Sequence, residues 1–426
     1  MMMTAVPSDW FVRSRLGLFL HWGLYSLAAR HEWVKNYEKL DDAHYQRYFD
    51  HFYPDLYNPK DWARAAKAAG MEYMVVTTKH HEGFCLWDTK FTDYKTTKTM
   101  WGKDVLTPLV EAFRAEGMRI GFYYSLLDWH HPEFPVDKMH PQRDDAAFRE
   151  STKGRDVSKY ALYMRDQITE LLTDFGQIDL LWFDFSYPGA DGKGHKDWES
   201  EALLSLVRKL QPQALVNNRL DLPHAPDFQT PEQYQPDAML RDADGKPVVW
   251  EACQTLSGSW GYHRDEMTWK SVPQLLGMLI DGVSKNGNLL LNVGPTARGE
   301  FDGRATACLS GIAEWMHHHE PSIRGCGPAP EEFVTPPDTR LTYNAQTNRL
   351  YLHFLHWPFK HVHLHGLVGR VAYAQFLHDA SEVQIRSAVT EIHAGLNAAS
   401  PEGAVTLELP TIKPTVAVPV IELFLS

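Results

Sequence analysis

The sequence has few of the features that mark disulfide-bonded, zinc-binding or membrane-spanning proteins. Its 426 residues include four cysteines, and no two of them form a CxxC pair. Such widely spaced cysteines are typical of free thiols in a reducing compartment and argue against a structural zinc site. No stretch approaches the roughly 20 apolar residues that a membrane span requires. The N-terminal residues show no secretory pattern, although a trimmed signal would leave no trace. We therefore expect a cytoplasmic protein with no membrane partner.

Signatures of nucleic-acid, nucleotide and metal chemistry are also scarce. The formal net charge of -12 argues against nucleic acid or an anionic membrane as the main partner. No GxGxxG follows an early predicted strand, and neither GxxxxGKS nor GxxxxGKT occurs, which disfavours nucleotide binding. HExxH is absent, as is an HxH after an early strand, and these are the usual marks of metal-dependent hydrolases. We expect no metal and no other cofactor.

The sequence does contain a large apolar fraction and many aromatic and imidazole side chains. Apolar residues make up 44% of the chain, which is enough for a sizeable core. The 14 tryptophans and 22 histidines suit a carbohydrate-binding cleft, although many of them are expected in the core. Sugars pack their apolar faces on aromatic rings and bond their hydroxyls to polar side chains.

Apolar strand-like segments alternate with helical patterns over most of the chain. Near-continuous apolar strands separated by helices indicate a parallel sheet that is buried on both faces. We predict a (β/α)8-like barrel over residues 1–333, with an open doubly wound sheet as the alternative. The predicted strands lie in RLGLFLHWG, MEYMVVTTKHHEGF, MRIGFYYS, QIDLLWFDF, ALVNNR, VVWEACQT and NGNLLLNVGP.

The pattern changes at a segment with four prolines between residues 328 and 337. Prolines at this density indicate a boundary. Short alternating strand-like runs without a helical period follow, and they predict a C-terminal β-sandwich over residues 334–426. One run places His361, His363 and His365 on the same strand face. We interpret this face as solvated or interdomain.

Polar residues stand where the predicted strands end. In a parallel barrel these carboxyl ends converge on one face, where catalytic residues collect. A carboxylate at the end of an apolar strand costs free energy unless something there needs it. Asp184 is followed by FSYPGADGKG, which predicts no helix for it to cap. The residues at six successive strand ends are His21; His80, His81 and Glu82; Tyr123; Asp184; Arg219; and Glu251.

Carboxylates without a nucleophilic Ser or Cys motif indicate chemistry carried by Asp and Glu. A pair of carboxyl groups is the pattern of glycoside hydrolysis, and the many Trp and His residues agree with a sugar substrate. Histidine and aspartate at strand ends are also found in metal-dependent barrel hydrolases. That class stays open as an alternative, together with a carbohydrate-binding relative that has lost catalysis.

The motifs together resemble the α-L-fucosidases of glycoside hydrolase family 29. The resemblance covers most of residues 10–330, with the motifs in the family's order and at compatible spacing. It implies a catalytic (β/α)8-like barrel followed by a β-sandwich, in agreement with the pattern of strands and helices. The motifs are LGLFLHWGLYS, HEWVKN, VVTTKHHEGFCLWDTKFTDY, GFYYSLLDWH, LLWFDFSYPG, VNNR, DFQTPEQ, WEACQTLSGSWGY and NLLLNVGP.

The resemblance also implies roles for individual residues. The aspartate of the WFD strand end is the family's nucleophile, so Asp184 is implied to attack the anomeric carbon. The aromatic residue of SWGY, Trp260, is implied to pack against the fucose methyl group. The residues implied to bind fucose hydroxyls are His21, Glu32, Trp33, His80 and His81, and those implied to line the same pocket are Tyr123, Trp182 and Arg219.

The general acid/base has two candidates. In some family members it is the glutamate of a TxE element shortly after the NxR strand, and here TPE supplies Glu232. Members vary at this position and sometimes use a different carboxylate, which leaves Glu251 of WEAC as the alternative. The sequence also departs from some members at Asn218, where they have aspartate, while the following arginine is retained.

These features predict a retaining exo-α-L-fucosidase. It would remove terminal α-L-fucose from fucosylated oligosaccharides or glycoconjugates through a covalent fucosyl-enzyme, with carboxyl groups about 5 to 5.5 Å apart. Family members divide into broad enzymes and enzymes that prefer α-1,3/1,4-linked fucose. Both specificities stay open here, as do transfucosylation and the oligomeric state.

Overall fold

The computed structural model describes residues 9–223, 227–386 and 403–426. The strands of its parallel sheet are β1 (Leu16–Leu20), β2 (Tyr73–Lys79), β3 (Arg119–Ser125), β4 (Leu180–Asp184), β5 (Leu215–Val216), β6 (Trp250–Thr255) and β7 (Gly287–Val293). Their spatial order is β5-β4-β3-β2-β1-β7-β6, and all neighbouring pairs are parallel. Each of the seven strands lies inside a segment that the sequence analysis predicted to be a strand.

Almost every residue of these strands is buried, as expected for a parallel sheet covered on both faces. The exceptions are the first residue of β3, Arg119, and the last residue of β4, Asp184, which are half-buried. The strands therefore form the buried centre of this part of the chain, and Asp184 lies at its partly exposed edge.

The segment of residues 227–233 closes the sheet into a barrel. It forms parallel bridges to the β5 side through Asn217 and Phe228, and to β6 through Gln229–Trp250 and Glu232–Cys253. It thereby occupies the eighth position between the two edge strands. The sequence analysis identified this segment as a family motif but did not predict that it takes a strand position in the barrel. Its sequence, DFQTPEQ, has too few apolar residues to predict a strand.

Helices cover the outside of the barrel. Several begin at side-chain caps: Ser271 and Gln274 form a capping box at one, and Asp156 and Asp302 cap two others. The helices are α1 (Asp9–Ser14), α2 (Tyr25–Ala28), α3 (Val34–Tyr37), α4 (Asp42–Asp50), α5 (Pro59–Ala68), α6 (Leu106–Ala115), α7 (Ala146–Ser151), α8 (Val157–Thr173), α9 (Ser200–Leu210), α10 (Val272–Ser284) and α11 (Gly303–His319), with 3-10 turns at Thr96–Lys98, Asn218–Leu220 and Glu320–Ser322.

The barrel departs from a full eightfold repeat between β5 and β6. Among the described residues of this stretch, 217–223 and 227–249, there is a 3-10 turn but no α-helix. Within the described residues, the segment of residues 227–233 is therefore not flanked by an α-helix, unlike most strands of the barrel. The predicted (β/α)8-like architecture is confirmed in this form.

The C-terminal part consists of two antiparallel sheets with an apolar core. The larger sheet has the order β12-β15-β10-β9-β8, and the smaller has β11-β14-β13. Leu350, Leu352 and Ile421 of the first pack in one cluster with Leu364 and Leu407 of the second. The strands are β8 (Gly327–Pro328), β9 (Thr339–Asn344), β10 (Arg349–Phe354), β11 (His361–His365), β12 (Val371–Phe376), β13 (Ile385–Arg386), β14 (Ala404–Glu408) and β15 (Val420–Leu425).

The predicted domain limits at residues 333 and 334 stay a prediction. Gly327–Pro328 pairs with β9 of the C-terminal sheet, so pairing in that sheet begins a few residues before the predicted limit. Residues 1–8, 224–226 and 387–402, which the predicted domains include, lie outside the described residues. In the described part of the chain, no helix has the length and apolar character needed to cross a membrane.

The histidine face of β11 points away from the core. His361 and His365 are exposed, and His363 is half-buried with its Nδ1 2.8 Å from the Thr406 hydroxyl. The alternating Val362 and Leu364 fill the core instead. The period of two in the sequence explains this division of the strand.

Candidate active site

Asp184 lies at the carboxyl end of β4 and accepts hydrogen bonds from two side chains. The Tyr123 hydroxyl, from the neighbouring strand β3, donates to Oδ2 at 2.8 Å. The Arg219 guanidinium donates to Oδ1 through Nη1 at 3.2 Å. These donors hold the carboxylate in one orientation at the mouth of the barrel.

Arg219 connects Asp184 with Glu232. Its Nη2 donates to Glu232 Oε2 at 2.9 Å, while its Nε and Nη2 also bond the hydroxyl and the carbonyl of Thr230. The guanidinium lies over the Trp182 ring, 4.9 Å from its centroid. A guanidinium presents its donors in a rigid fork, so the two carboxyl groups occupy defined positions on one wall of the pocket.

The two carboxyl groups differ in exposure. The Asp184 side chain is 14% exposed and that of Glu232 is 41% exposed. Burial raises the pKa of Asp184 to about 6, Arg219 opposes this shift, and the negative charge of Glu232 adds to it. Asp184 is thus an enclosed carboxyl group held by donors, and Glu232 is an open one beside it.

Three histidines also line the pocket, and their Nδ1 atoms face partners outside it. His21 Nδ1 lies 2.7 Å from the Asn292 carbonyl oxygen. Because the Asn292 amide nitrogen donates to the Trp260 carbonyl, its oxygen accepts, so His21 carries its proton on Nδ1. Burial holds the pKa of His21 well below its usual range, and this imidazole is therefore neutral with a free lone pair on Nε2.

The same reasoning assigns the proton of His81. Its Nδ1 lies 2.7 Å from the Ser125 hydroxyl, and that hydroxyl donates its own proton to the Leu127 carbonyl. His81 therefore donates from Nδ1, and its Nε2, 3.9 Å from Asp184 Oδ2, is an acceptor. Burial also holds the pKa of His81 well below its usual range. His80 stands between the two, and burial lowers its pKa to about 3.

Aromatic rings complete the pocket. Trp33 meets His81 and Phe185 with ring centroids 5.0 Å apart in each case, and Trp260 lies 5.2 Å from His21. The residues that line the pocket are Phe19, His21, Trp33, His80, His81, Tyr123, Trp182, Asp184, Phe185, Arg219, Glu232, Cys253 and Trp260. Apolar rings beside neutral hydrogen-bonding groups suit a sugar with one apolar face.

Three lining residues escaped the sequence analysis: Phe19, Phe185 and Cys253. Phe19 and Cys253 each lie two positions from a residue that the analysis named, so the period of two along a strand could have found them. Phe185 follows Asp184 directly and has φ +75°, a conformation that is strained for a bulky residue and is common at functional sites. The sequence offers no signal for that turn.

Glu32, which the family resemblance implied to bind fucose hydroxyls, is not among the residues that line the pocket, and its role in sugar binding stays a prediction. The carboxylate is buried, and its Oε2 accepts from the backbone N–H groups of Trp260 and Gly261 at 3.1 and 2.8 Å. Burial raises its pKa while these donors lower it. In this structure Glu32 therefore supports the loop that carries Trp260.

Glu251 lies one layer deeper in the barrel than the pocket. It is fully buried; one oxygen accepts from the Trp182 indole N–H at 3.2 Å and the other from the Tyr73 hydroxyl. Burial raises its pKa to about 7. Cys253, two residues further along β6, lines the pocket in its place. Both Glu251 oxygens thus serve protein donors beneath the pocket floor.

No group of three or more His, Cys, Asp or Glu side chains in the described residues has the arrangement of a metal site. The Nδ1 atoms of His21 and His81 contact Asn292 and Ser125 at hydrogen-bond distance, and that of His80 lies 3.3 Å from the Glu82 carboxyl group. The chemistry that this donor set offers is that of two carboxyl groups with neutral imidazoles around them.

Comparisons with known proteins agree with this site. Residues 3–320 match the family model described as "Alpha-L-fucosidase". The tissue α-L-fucosidase of Macaca fascicularis is 28% identical over 382 residues, which cover 83% of this chain and 76% of that protein. The α-L-fucosidase isoenzyme 1 of Paenibacillus thiaminolyticus is 43% identical, with a TM-score of 0.91 and 98% of each chain covered.

A second solved structure bears on mechanism. A GH29 α-L-fucosidase of Bacteroides thetaiotaomicron, a trapped covalent intermediate with 2-fluoro-fucosyl fluoride, is 25% identical to this chain. Its TM-score is 0.82, with 98% of this chain and 95% of that chain covered.

A parallel barrel with two carboxyl groups at its open end and a neutral aromatic pocket defines a glycoside hydrolase. Within that class, the chain belongs to the α-L-fucosidase family, glycoside hydrolase family 29. The family, the fold class and the enzyme class predicted from the sequence are confirmed.

Proposed function

We propose that the protein is a retaining exo-α-L-fucosidase in which Asp184 is the nucleophile and Glu232 the general acid/base. One observation carries this proposal: the Arg219 guanidinium bonds Asp184 and Glu232 at the same time. Two carboxyl groups on one wall of a sugar-sized pocket are what a double displacement needs.

In the first step Asp184 attacks the anomeric carbon while Glu232 protonates the departing oxygen. The Tyr123 and Arg219 donors orient Asp184. The open position of Glu232 allows it to reach a leaving group that extends out of the pocket. In the second step Glu232 takes a proton from water, which attacks the fucosyl-enzyme and releases Asp184.

The substrate class is a terminal fucose on an oligosaccharide or glycoconjugate. The Nε2 atoms of His21 and His81 accept hydrogen bonds from sugar hydroxyls, and His80 stands between them. Trp260 and Trp33 offer apolar ring surface, with Trp260 as the partner of the fucose methyl group. Trp182 supports Arg219 from below. A panel of α-1,2-, α-1,3/1,4- and α-1,6-fucosylated oligosaccharides decides the linkage.

The direct test follows the first anomer released from an aryl α-L-fucoside by proton NMR. A double displacement releases α-L-fucose first, and mutarotation produces the β anomer afterwards. Initial release of β-L-fucose would contradict the retaining mechanism. Absence of fucose release from both the aryl fucoside and the oligosaccharide panel would contradict the function itself.

We expect kcat/KM to fall on the acidic side of about pH 6. The nucleophile must be ionised, burial raises the pKa of Asp184 to about 6, and protonation below that value removes the attacking carboxylate. The expected slope is about tenfold per pH unit. A double displacement also needs a general acid in its first step, so the full profile is bell-shaped. A kcat/KM that stays constant from pH 7 to pH 4 in a protein still folded by circular dichroism would contradict this assignment.

We expect full activity after exhaustive dialysis against EDTA. The nucleophile and the acid/base are both carboxyl groups of the chain, so neither step calls for a metal. The measurement compares kcat on the aryl fucoside before dialysis, after dialysis, and after addition of Zn²⁺ or Mg²⁺. Loss of activity with EDTA and recovery with one ion would favour the alternative, a metal-dependent barrel hydrolase.

We also propose that the protein works in the cytoplasm. The four cysteines, Cys85, Cys253, Cys308 and Cys326, are buried free thiols, as expected in a reducing compartment. Fractionation of the source cells with an antibody tests this proposal. Recovery in the culture medium or the periplasm would contradict it.

A further inference from the structure

His80 differs from the other two pocket histidines in the partner of its Nδ1. His21 and His81 face neutral groups whose hydrogen-bonding roles are settled by a second contact. His80 Nδ1 lies 3.3 Å from Oε2 of Glu82. A carboxyl group accepts a hydrogen bond in such a contact when it is ionised and can donate one when it is protonated.

Glu82 is enclosed behind His80. It is 1% exposed. Among the described residues, neither Glu82 Oε2 nor His80 Nδ1 has a hydrogen-bond partner that meets the geometric limits, and the two unpaired atoms lie 3.3 Å from each other. The chain leaves room for this carboxyl group at Gly23, where a Cβ atom would lie 2.8 Å from Glu82 Oε1. The contact between the two side chains is therefore built into the packing.

Aromatic rings pack around His80 on several sides and hold its side chain in this orientation. Its ring centroid lies 5.3 Å from that of Tyr25, 5.7 Å from that of Tyr123 and 4.0 Å from that of His81. With Nδ1 directed to Glu82, Nε2 is the ring nitrogen that faces the sugar. Because a neutral imidazole carries one ring proton, the contact of Nδ1 with Glu82 determines whether Nε2 donates to the sugar or accepts from it.

The surroundings of Glu82 favour its neutral form. An isolated buried carboxylate is costly and takes up a proton instead. Burial raises the pKa of Glu82 to about 8; Lys35 opposes this shift and Asp128 adds to it. The backbone N–H groups of Glu82 itself and of Leu24 also donate to the carboxyl group. Since Oε2 has no such partner, Oε1 is the accepting oxygen and the proton belongs on Oε2, facing His80.

We propose that Glu82 is a positioning residue of the sugar site, whose protonated Oε2 donates to His80 Nδ1 and so leaves the His80 proton on Nε2. His80 then presents a donor to the sugar, whereas His21 and His81 present acceptors. A hydroxyl placed between His80 and His81 accepts from one ring and donates to the other. This inference rests on the proposed function, because the hydroxyls in question belong to the bound sugar.

The tautomer of His80 is measured without any substrate. Protein labelled with 15N-histidine is recorded by two-bond 15N–1H correlation at pH 7, and the His80 signals are identified by their absence in His80→Gln. We expect the Nε2–H tautomer for His80. The Nδ1–H tautomer, or a doubly protonated ring, would overturn the inference.

Two variants of Glu82 test its effect on sugar binding. In Glu82→Gln the amide oxygen accepts from Leu24 N–H, which directs the NH2 group toward His80 Nδ1 and preserves a donor there. Glu82→Leu has no donor. We expect Glu82→Leu to raise KM for the aryl fucoside about tenfold with a smaller effect on kcat. Glu82→Gln should recover most of that loss.

A merely structural role would give a different pattern. In that case the two variants would lower the melting temperature together, and kcat and KM of the folded fraction would match the wild type. Equal KM defects in the two variants would also overturn the inference. If Glu82→Leu does not fold, the tautomer in wild type and Glu82→Gln decides. Wild type that hydrolyses no fucoside would refute the proposed function alone, because the tautomer is read without turnover.

Discussion

Asp184→Ala is expected to lower kcat for an aryl α-L-fucoside by about 10⁴-fold or more. The reason is that the variant removes the group that forms the covalent intermediate, while Arg219, Glu232 and the pocket stay in place. KM should change much less, because the histidines and tryptophans that hold the sugar are untouched. The measurement is steady-state kinetics with protein whose folding has been checked by circular dichroism.

Azide distinguishes loss of the nucleophile from general damage. In Asp184→Ala the cavity left by the carboxylate admits azide, which attacks the α-fucoside once and yields β-L-fucosyl azide. Asp179→Asn is a matched control, since Asp179 precedes the same strand at its opposite end and accepts from Ile120 N–H and Arg119. This control should lose stability but keep kcat per folded molecule. Substantial residual turnover by Asp184→Ala without azide would contradict the assignment.

Glu232→Ala is expected to show a defect that depends on the leaving group. Loss of a general acid costs about 10²- to 10⁴-fold, and the cost is greatest for a sugar leaving group, which needs the proton. An activated aryl fucoside should react nearly normally in the first step and accumulate the fucosyl-enzyme. Azide should then restore turnover and produce α-L-fucosyl azide, because two displacements retain the configuration.

Glu251 provides the comparison for Glu232. Its two oxygens accept from Trp182 and Tyr73 beneath the pocket floor, so we expect Glu251→Gln to retain activity. We expect Glu251→Ala to be destabilised by about 1–3 kcal/mol for each donor left unpaired, with no response to azide. Azide rescue of Glu251→Ala and not of Glu232→Ala would make Glu251 the acid/base.

The barrel strands could be found from the sequence because each is a nearly unbroken apolar run. A strand that is buried on both faces is apolar along its whole length and does not alternate between apolar and polar residues. The seven predicted segments contain the seven strands. The strand ends could be found for the same reason, since His21, His80 and Asp184 stand at the carboxyl ends of such runs.

The segment of residues 227–233 is a part of the barrel that apolar patterns did not predict. It bridges β5 and β6 and brings Glu232 to Arg219, yet DFQTPEQ is polar and contains a proline. It is held by bridges to two edge strands and by one apolar side chain, Phe228, which is buried in the barrel core. Apolar patterns in a sequence indicate buried strands. A mostly polar segment that takes a strand position in a barrel is therefore found only through family resemblance or through the structure.

Glu32 and Glu251 show the corresponding limit for carboxylates, and their roles stay predictions. The family resemblance implied that Glu32 binds the sugar, and a position in an apolar strand made Glu251 a candidate acid. The structure places Glu32 on the backbone of Trp260 and Gly261, and Glu251 under Trp182. Which layer of the barrel a side chain occupies depends on register between strands, which one sequence does not report.

The sequence by itself determined the parallel barrel, the family and the position of Asp184, because continuous apolar runs and clustered motifs leave few alternatives. The tertiary structure alone decided which of two glutamates shares Arg219 with Asp184, which nitrogen of each pocket histidine faces the sugar, and that Glu82 stands behind His80. Each of these depends on contacts of about 3 Å between residues far apart in the chain or turned by packing. Such contacts are set by how strands and loops pack together and leave no periodic pattern in the sequence.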